Sequence, residues 1–251
     1  MIRERVVAVS YSCIVSAMTT PVPKPRHKPI RLAVLLSGGG TTLANLVSKI
    51  GSGELEAEVA VAISSNKAAY DKLTAKNLGV PVHLVARKDH ADTAGFSDAV
   101  FKLIRDADAD LACLAGFLSL LSIPDDYAWR VLNIHPALLP AFGGKGMFGR
   151  RVHETVLNAG CKVSGCTVHF ADQTYDTGPI LVQRTCPVLP DDTPDTLAAR
   201  VFEQECLAYP EAIRLIAKGE IVLEGKVARF AGHNEPKKAI QPEQAAPSDN
   251  P

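Results

Sequence analysis

Arg31-Leu32-Ala33-Val34-Leu35-Leu36 runs directly into Ser37-Gly38-Gly39-Gly40-Thr41-Thr42, and an apolar-periodic segment opens near Leu43. The apolar continuity of the first six residues is that of a strand covered on both faces. The glycines then turn the chain into a helix. Strand, glycine loop and helix in that order open an α/β fold. Working outward, residues 59–63 read as a second strand and 68–78 as a helix closed by Gly79. A short strand at 82–85, a helix at 93–105 and strands at 111–114 and 131–134 follow. This alternation predicts an open, mostly parallel Rossmann-like sheet with helices on both faces.

After His135 the rhythm changes. Residues 142–151 form a glycine-rich loop carrying Lys145, Arg150 and Arg151, and 152–159 reads as a helix ending at Gly160. Segments 164–171 and 179–188 alternate as strands, joined by a loop at 172–178. Residues 194–218 read as one long helix with Thr193 at its N-cap, and 221–223 as a last short strand. A single domain is expected over 31–228. The Pro-, Lys-, Gln- and Ala-rich segments 1–30 and 229–251 are expected to be disordered tails. Arg3, Arg5 and the short apolar stretch 6–17 have the outline of a secretory signal. The Pro- and Lys-rich stretch after it favours instead a disordered tail, or translation that starts at Met18.

Formal net charge is zero, with 27 basic and 27 acidic residues, so no basic surface is available for nucleic acid. No apolar run is long enough to span a bilayer. Nearly half the chain, 47%, is hydrophobic, enough for a full core. Cys13, Cys113, Cys161, Cys166, Cys186 and Cys206 form no C-x-x-C pair, and most lie in apolar contexts. They read as reduced thiols in a cytoplasmic protein, not as metal ligands or disulfides.

Four places offer chemistry. The loop at 37–42 can cradle an anion with backbone N–H groups at a helix N-terminus. It lacks the Gly-Lys-Ser/Thr of a Walker loop, and Leu43 stands where a dinucleotide motif would place its third glycine. A mononucleotide phosphate is therefore its better ligand, and a plain tight turn the alternative. Asn133 and His135 stand two apart at a strand end, so their side chains share a face, and Pro136 ends the strand. Asp176 lies in a loop where Asp-Thr-Gly is also an ordinary turn signal. Beside His135 its carboxylate would raise the imidazole pKa and favour the protonated form. An amide, an imidazole and a carboxylate suit acyl transfer to an amine. His169 precedes this loop and reads as structural. Glu205, Glu203, Arg200 and His153 have the surface or structural default.

Four motifs occur in order: residues 37–43, Leu114-Ala115-Gly116-Phe117, the Leu132–Pro140 stretch LNIHPALLP, and GCTVHFADQTYDTGP from Gly165 to Pro179. Together they resemble the folate-dependent formyltransferases, over about residues 31–223. The stretch around Glu205, Tyr209 and Pro210 resembles the glycinamide ribonucleotide branch. The resemblance implies formyl transfer from 10-formyltetrahydrofolate to the amine of 5'-phosphoribosylglycinamide in de novo purine biosynthesis, without a metal. It implies catalysis by Asn133, His135 and Asp176. It places the substrate at Gly39, Gly40, Thr41, Thr42, Phe202 and Glu205. The folate would meet Leu118, Ser119, Leu120, Leu121, Asn133, Asp172, Gln173, Thr174, Tyr175 and Asp176. Partners are then small molecules, not nucleic acid or membrane, with a monomer or homodimer.

Three departures stand out against relatives. Gly-Gly-Gly-Thr-Thr replaces the common Gly-Asn-Gly-Ser-Asn, Ser119 replaces an arginine near the folate tail, and Phe202 replaces a polar phosphate contact. Lys145, Arg150 or Arg151 is expected to supply the missing charge. The alternatives on this scaffold are a formyltetrahydrofolate hydrolase, a sugar-nucleotide N-formyltransferase and a folate- or nucleotide-binding module without turnover.

Overall fold

A computed structural model describes residues 19–219 and 221–230. In chain order the elements are β1 (Thr19–Pro21), β2 (Ile30–Leu36), α1 (Thr41–Gly51), β3 (Ala57–Ser64), α2 (Lys67–Lys76), β4 (Val82–Leu84), α3 (Thr93–Asp106), β5 (Leu111–Leu114) and β6 (Val131–His135). There follow α4 (Arg150–Asn158), β7 (Val163–Phe170), β8 (Ile180–Pro187), α5 (Pro194–Lys218), β9 (Ile221–Glu224) and β10 (Val227–Phe230). They build one ten-stranded sheet in the order β1-β9-β10-β8-β7-β6-β5-β2-β3-β4. The half from β6 to β4 is parallel, while β7 pairs antiparallel with both β6 and β8.

Strand β2 shows why the sheet is covered on both faces. Val34 and Leu36 join a core with Leu46, Tyr209 and Ile213, whereas Ala33 and Leu35 join another with Phe96, Val100 and Ile104. Alternate residues of one strand thus feed opposite cores. Helix α3 supplies the second core, and α1 and α5 supply the first. Helix α5 carries the predicted Thr193 cap, with Thr193 and Thr196 bonding reciprocally, and ends on left-handed Gly219. Its Pro210 has no N–H, which leaves the Cys206 carbonyl without its helical donor. Asn45 Nδ2 of α1 supplies that bond at 3.1 Å. One residue earlier, buried Tyr209 donates its hydroxyl to the carbonyls of Leu114 and Leu132 at 3.0 and 3.1 Å. The helix is thereby locked onto β5 and β6, the strands that lead into the cleft.

Two boundaries differ from the sequence reading. Residues 19–30 are not a disordered tail, because Thr19–Pro21 pairs with β9. The backbone N–H groups of Arg26 and Arg31 and the His27 ring all bond the buried carboxylate of Asp110. An edge strand and an ion cluster order this Pro- and Lys-rich segment, whose composition shows neither partner. At the other end the sheet runs to Phe230, past the expected limit at 228. The expectations for residues 1–18 and 231–251, Cys13 included, lie outside the described residues. Among the described residues, no helix is long and apolar enough to cross a membrane.

Candidate active site

The order of strands reverses between β2 and β5, and the loops leaving their C-terminal ends diverge there, as at ligand crevices of other open α/β sheets. Ser37 ties the two loops together. Its N–H donates to the Gly116 carbonyl at 3.0 Å, and its Oγ accepts from Leu118 N–H at 3.0 Å. A cleft of about 600 Å³ opens between them. It is lined by Gly39, Gly40, Thr41, Thr42, Leu118, Ser119, Leu120, Leu121, Asn133, His135, Asp172, Thr174, Tyr175, Asp176, Phe202 and Glu205. Of the catalytic, substrate and folate residues that the resemblance implied, Gln173 alone lies elsewhere. It lines an adjoining groove with Arg87 and Lys145, and its amide donates to Ile123 O at 3.1 Å.

The three candidate catalytic side chains meet at the end of β6. His135 Nδ1 lies 3.6 Å from Asp176 Oδ2, and both side chains are more than nine-tenths buried. Asn133 Nδ2 lies 3.3 Å from Asp176 Oδ1. Gly144 N–H donates to Asp176 Oδ2 at 2.8 Å, so the glycine-rich loop holds the acid in place. A Cβ at Gly143 would crowd both Leu139 and Asp176, which is why that loop needs glycine there. Gly178 serves the same end from the other side, since a Cβ there would overlap the Phe170 carbonyl. Asp176 itself has φ 59, a left-handed backbone that aspartate tolerates better than most residues.

The electrostatics reverse one expectation. Burial pushes the His135 pKa down, and this outweighs the upward pull of Asp176 and of the Phe142 carbonyl. The imidazole therefore rests neutral at pH 7, not protonated. Its Nε2 carries the hydrogen, because its partner at 2.8 Å is the Phe142 carbonyl, which only accepts. Nδ1 is left as a bare base facing the acid. Burial works against ionisation of Asp176, but the His169 and His135 rings, whenever either carries a proton toward it, and the Gly144 N–H hold its carboxyl below the ordinary range.

His169 belongs to this cluster, although its sequence context gave no sign beyond proximity to the loop. Its Nδ1 donates to the Phe170 carbonyl at 2.8 Å, and its Nε2 lies 3.0 Å from Asn133 Nδ2. The carboxylate beside Asn133 demands a donor, so the amide nitrogen faces it and His169 Nε2 accepts the other amide hydrogen. The orientation of Asn133 is thereby set by two neighbours.

At one end of the cleft Gly40, at φ 71, caps α1 without any side-chain bond, leaving the first N–H groups of the helix free for an anion. The sequence reading sought a cation for this end in Lys145, Arg150 or Arg151. Lys145 lines the cleft, but Arg150 is held outside it by Glu154 and Asp195. Arg151 does not line the cleft either. Lys76, not anticipated, places its ammonium 2.8 Å from the Gly39 carbonyl beside the loop. Its place at the far end of α2 hid it from any local reading. Glu205, half-buried on α5, makes no hydrogen bond to the described residues, and desolvation pushes its pKa up to about 7. Among the described residues, no group of three or more His, Cys, Asp and Glu gathers as metal ligands would.

Neutral base, oriented amide and ionised acid around one cleft define a site for moving an acyl group and a proton. The formyl transferase family is matched over residues 30–213, and the chain belongs to it. Its relatives in that family include phosphoribosylglycinamide formyltransferases. The chloroplastic phosphoribosylglycinamide formyltransferase of Vigna unguiculata is 37% identical over 221 residues, which cover 84% of this chain and 70% of that protein. The phosphoribosylglycinamide formyltransferase of Haemophilus influenzae is 32% identical over 209 residues, covering 82% and 96%. The solved glycinamide ribonucleotide transformylase 1 of Symbiobacterium toebii superposes with a TM-score of 0.73 at 39% identity, over 80% of this chain and 93% of that one.

Proposed function

We propose that the protein transfers the formyl group of 10-formyltetrahydrofolate to the amine of 5'-phosphoribosylglycinamide, a step of purine biosynthesis. The observation that carries this reading is the meeting of Asn133, His135 and Asp176 in a cleft whose far end is an uncapped helix N-terminus with Lys76 beside it. The anion end takes the phosphate through backbone N–H groups, Thr41, Thr42 and Lys76. Glu205 accepts from the ribose hydroxyls. Leu118, Leu120 and Leu121 on one side and the Asp172–Asp176 loop on the other enclose the pterin. Ser119 and Phe202 add lining contacts.

In the transfer, the amine nitrogen bonds to the formyl carbon, the carbonyl electrons move to oxygen, and the bond to the folate nitrogen then breaks. One proton must travel from the amine to that nitrogen. His135, neutral at rest, receives it at Nδ1. The imidazolium so formed is stabilised by Asp176 and then gives the proton up, which is general base followed by general acid. Asn133 turns the amide hydrogen that lies a long 3.3 Å from Asp176 toward the formyl oxygen, while His169 keeps the other. The free thiols of Cys113, Cys161, Cys166, Cys186 and Cys206 support a cytoplasmic setting.

Turnover of glycinamide ribonucleotide with 10-formyltetrahydrofolate, measured beside His135→Ala, tests this. Formyl-product formation that the substitution abolishes is expected. Formate release without an amine acceptor, or transfer only to an amino-sugar nucleotide, would replace this reading with one of its alternatives.

A further inference from the structure

His153 is not used in the mechanism above, and its position is anomalous. It lies in the first turns of α4 with 4% of its surface exposed, and its ring lines the cleft. Its Nδ1 is sealed off and has no hydrogen-bond partner, while Nε2 bonds to no described residue and is not sealed, so Nε2 is the ring nitrogen left to the cleft. A polar ring this deeply buried that can reach a cleft only through one unbonded nitrogen points to a partner that arrives from outside. Burial also pushes its pKa down, against a weak opposing pull from Asp195, so the ring meets that partner uncharged.

Its neighbours say where along the cleft it works. Ala198, Phe202 and Glu205 follow one another down the facing side of α5, and beyond them Asn45 joins α5 to α1 at Cys206. The anion-binding end is therefore at the Glu205 end of this wall. His135 is also within electrostatic reach of His153. Between Glu205 and His135 the α5 wall shows only the apolar Ala198 and Phe202. The stretch of an amine substrate that spans this gap, between its sugar and its nucleophilic nitrogen, is a carboxamide.

We infer that His153 is the hydrogen-bonding partner of the substrate carboxamide, its Nε2 filled only when the amine substrate binds. This rests on the proposed reaction and adds to it a residue that selects for an amide between sugar and amine. The test is calorimetric binding of glycinamide ribonucleotide and of ribose 5-phosphate to the wild type, His153→Phe and His153→Gln. The thermal midpoint of each protein is measured without ligand. His153→Phe should weaken glycinamide ribonucleotide about tenfold, the loss of one neutral hydrogen bond, and leave ribose 5-phosphate unchanged. His153→Gln keeps a polar atom near the place of Nε2 and should restore part of the affinity. The midpoint of His153→Phe should hold or rise, because an unbonded buried nitrogen has gone. Equal binding by all three proteins, or a His153→Phe midpoint that falls while affinity stays, would assign His153 to structure and overturn the inference. Wild-type protein that binds glycinamide ribonucleotide but does not formylate it would defeat the proposed reaction and leave the role of His153 standing.

Discussion

Glu205 offers a prediction that can be worked from the structure. Its pKa is raised from 4.5 to about 7, and desolvation is the only cause. Roughly a tenth of it is then ionised at pH 6 and roughly nine-tenths at pH 8. Only the carboxylate accepts from both ribose hydroxyls, so the affinity for glycinamide ribonucleotide should rise about tenfold across this interval. The substrate titrates too, since its phosphate has a second pKa near about 6. Glu205→Gln cancels that contribution, because the substrate is the same for both proteins. Calorimetric titrations at half-unit steps from pH 6 to 8 should show the wild-type curve climbing away from the variant curve. A second readout comes from stability without ligand. A carboxyl whose folded pKa is raised stabilises below its unfolded pKa near 4.5, and this contribution is lost as pH rises through about 7. The Gln variant should therefore gain in thermal midpoint relative to wild type from pH 5 to pH 8. Parallel binding curves together with a constant difference in midpoint would refute both the burial argument and the ribose assignment.

Asp176→Asn should lower kcat by about 100- to 1,000-fold with little change in either KM, because the imidazolium loses its counter-charge only during the reaction. Single-turnover kinetics read this directly. His169→Phe keeps the ring volume but leaves an Asn133 hydrogen without its acceptor, which should cost about 1–3 kcal/mol in urea denaturation. It should also lower kcat more than KM is raised, and His169→Gln should recover part of the loss. Gly178→Ala forces a methyl group onto the Phe170 carbonyl. A loss of about 1–3 kcal/mol of stability is expected, together with activity below that of a surface control, since the displaced loop carries Asp176.

Much of the site was legible along the chain because its parts sit in short signals. The glycine loop announces a helix N-terminus, and Asn133, His135 and Pro136 announce a strand end with two side chains on one face. Thr193 and Pro194 announce the start of α5 on the residue where it begins. What stayed hidden depends on distant pairing. Lys76 and Gly39 are far apart in sequence and become neighbours only because α2 packs beside the loop. His169 looked structural because nothing nearby in sequence shows that β7 pairs with β6 in a register placing it opposite Asn133. The ordered segment 19–30 was missed for the same reason, as its partners β9 and Asp110 lie elsewhere in the chain.

The sequence by itself determined the α/β class, the order of nearly every element and the identity of the amide, imidazole and carboxylate. The class and the order follow from periodicity and local backbone preference, which act over a few residues, whereas the three side chains were implied as a set by the family resemblance. Tertiary structure alone decided the charge on them. Whether His135 rests neutral and Glu205 titrates near pH 7 depends on how much water packing removes and which dipoles it brings within a few ångströms. No local pattern carries that information, because desolvation is a property of everything that surrounds a group.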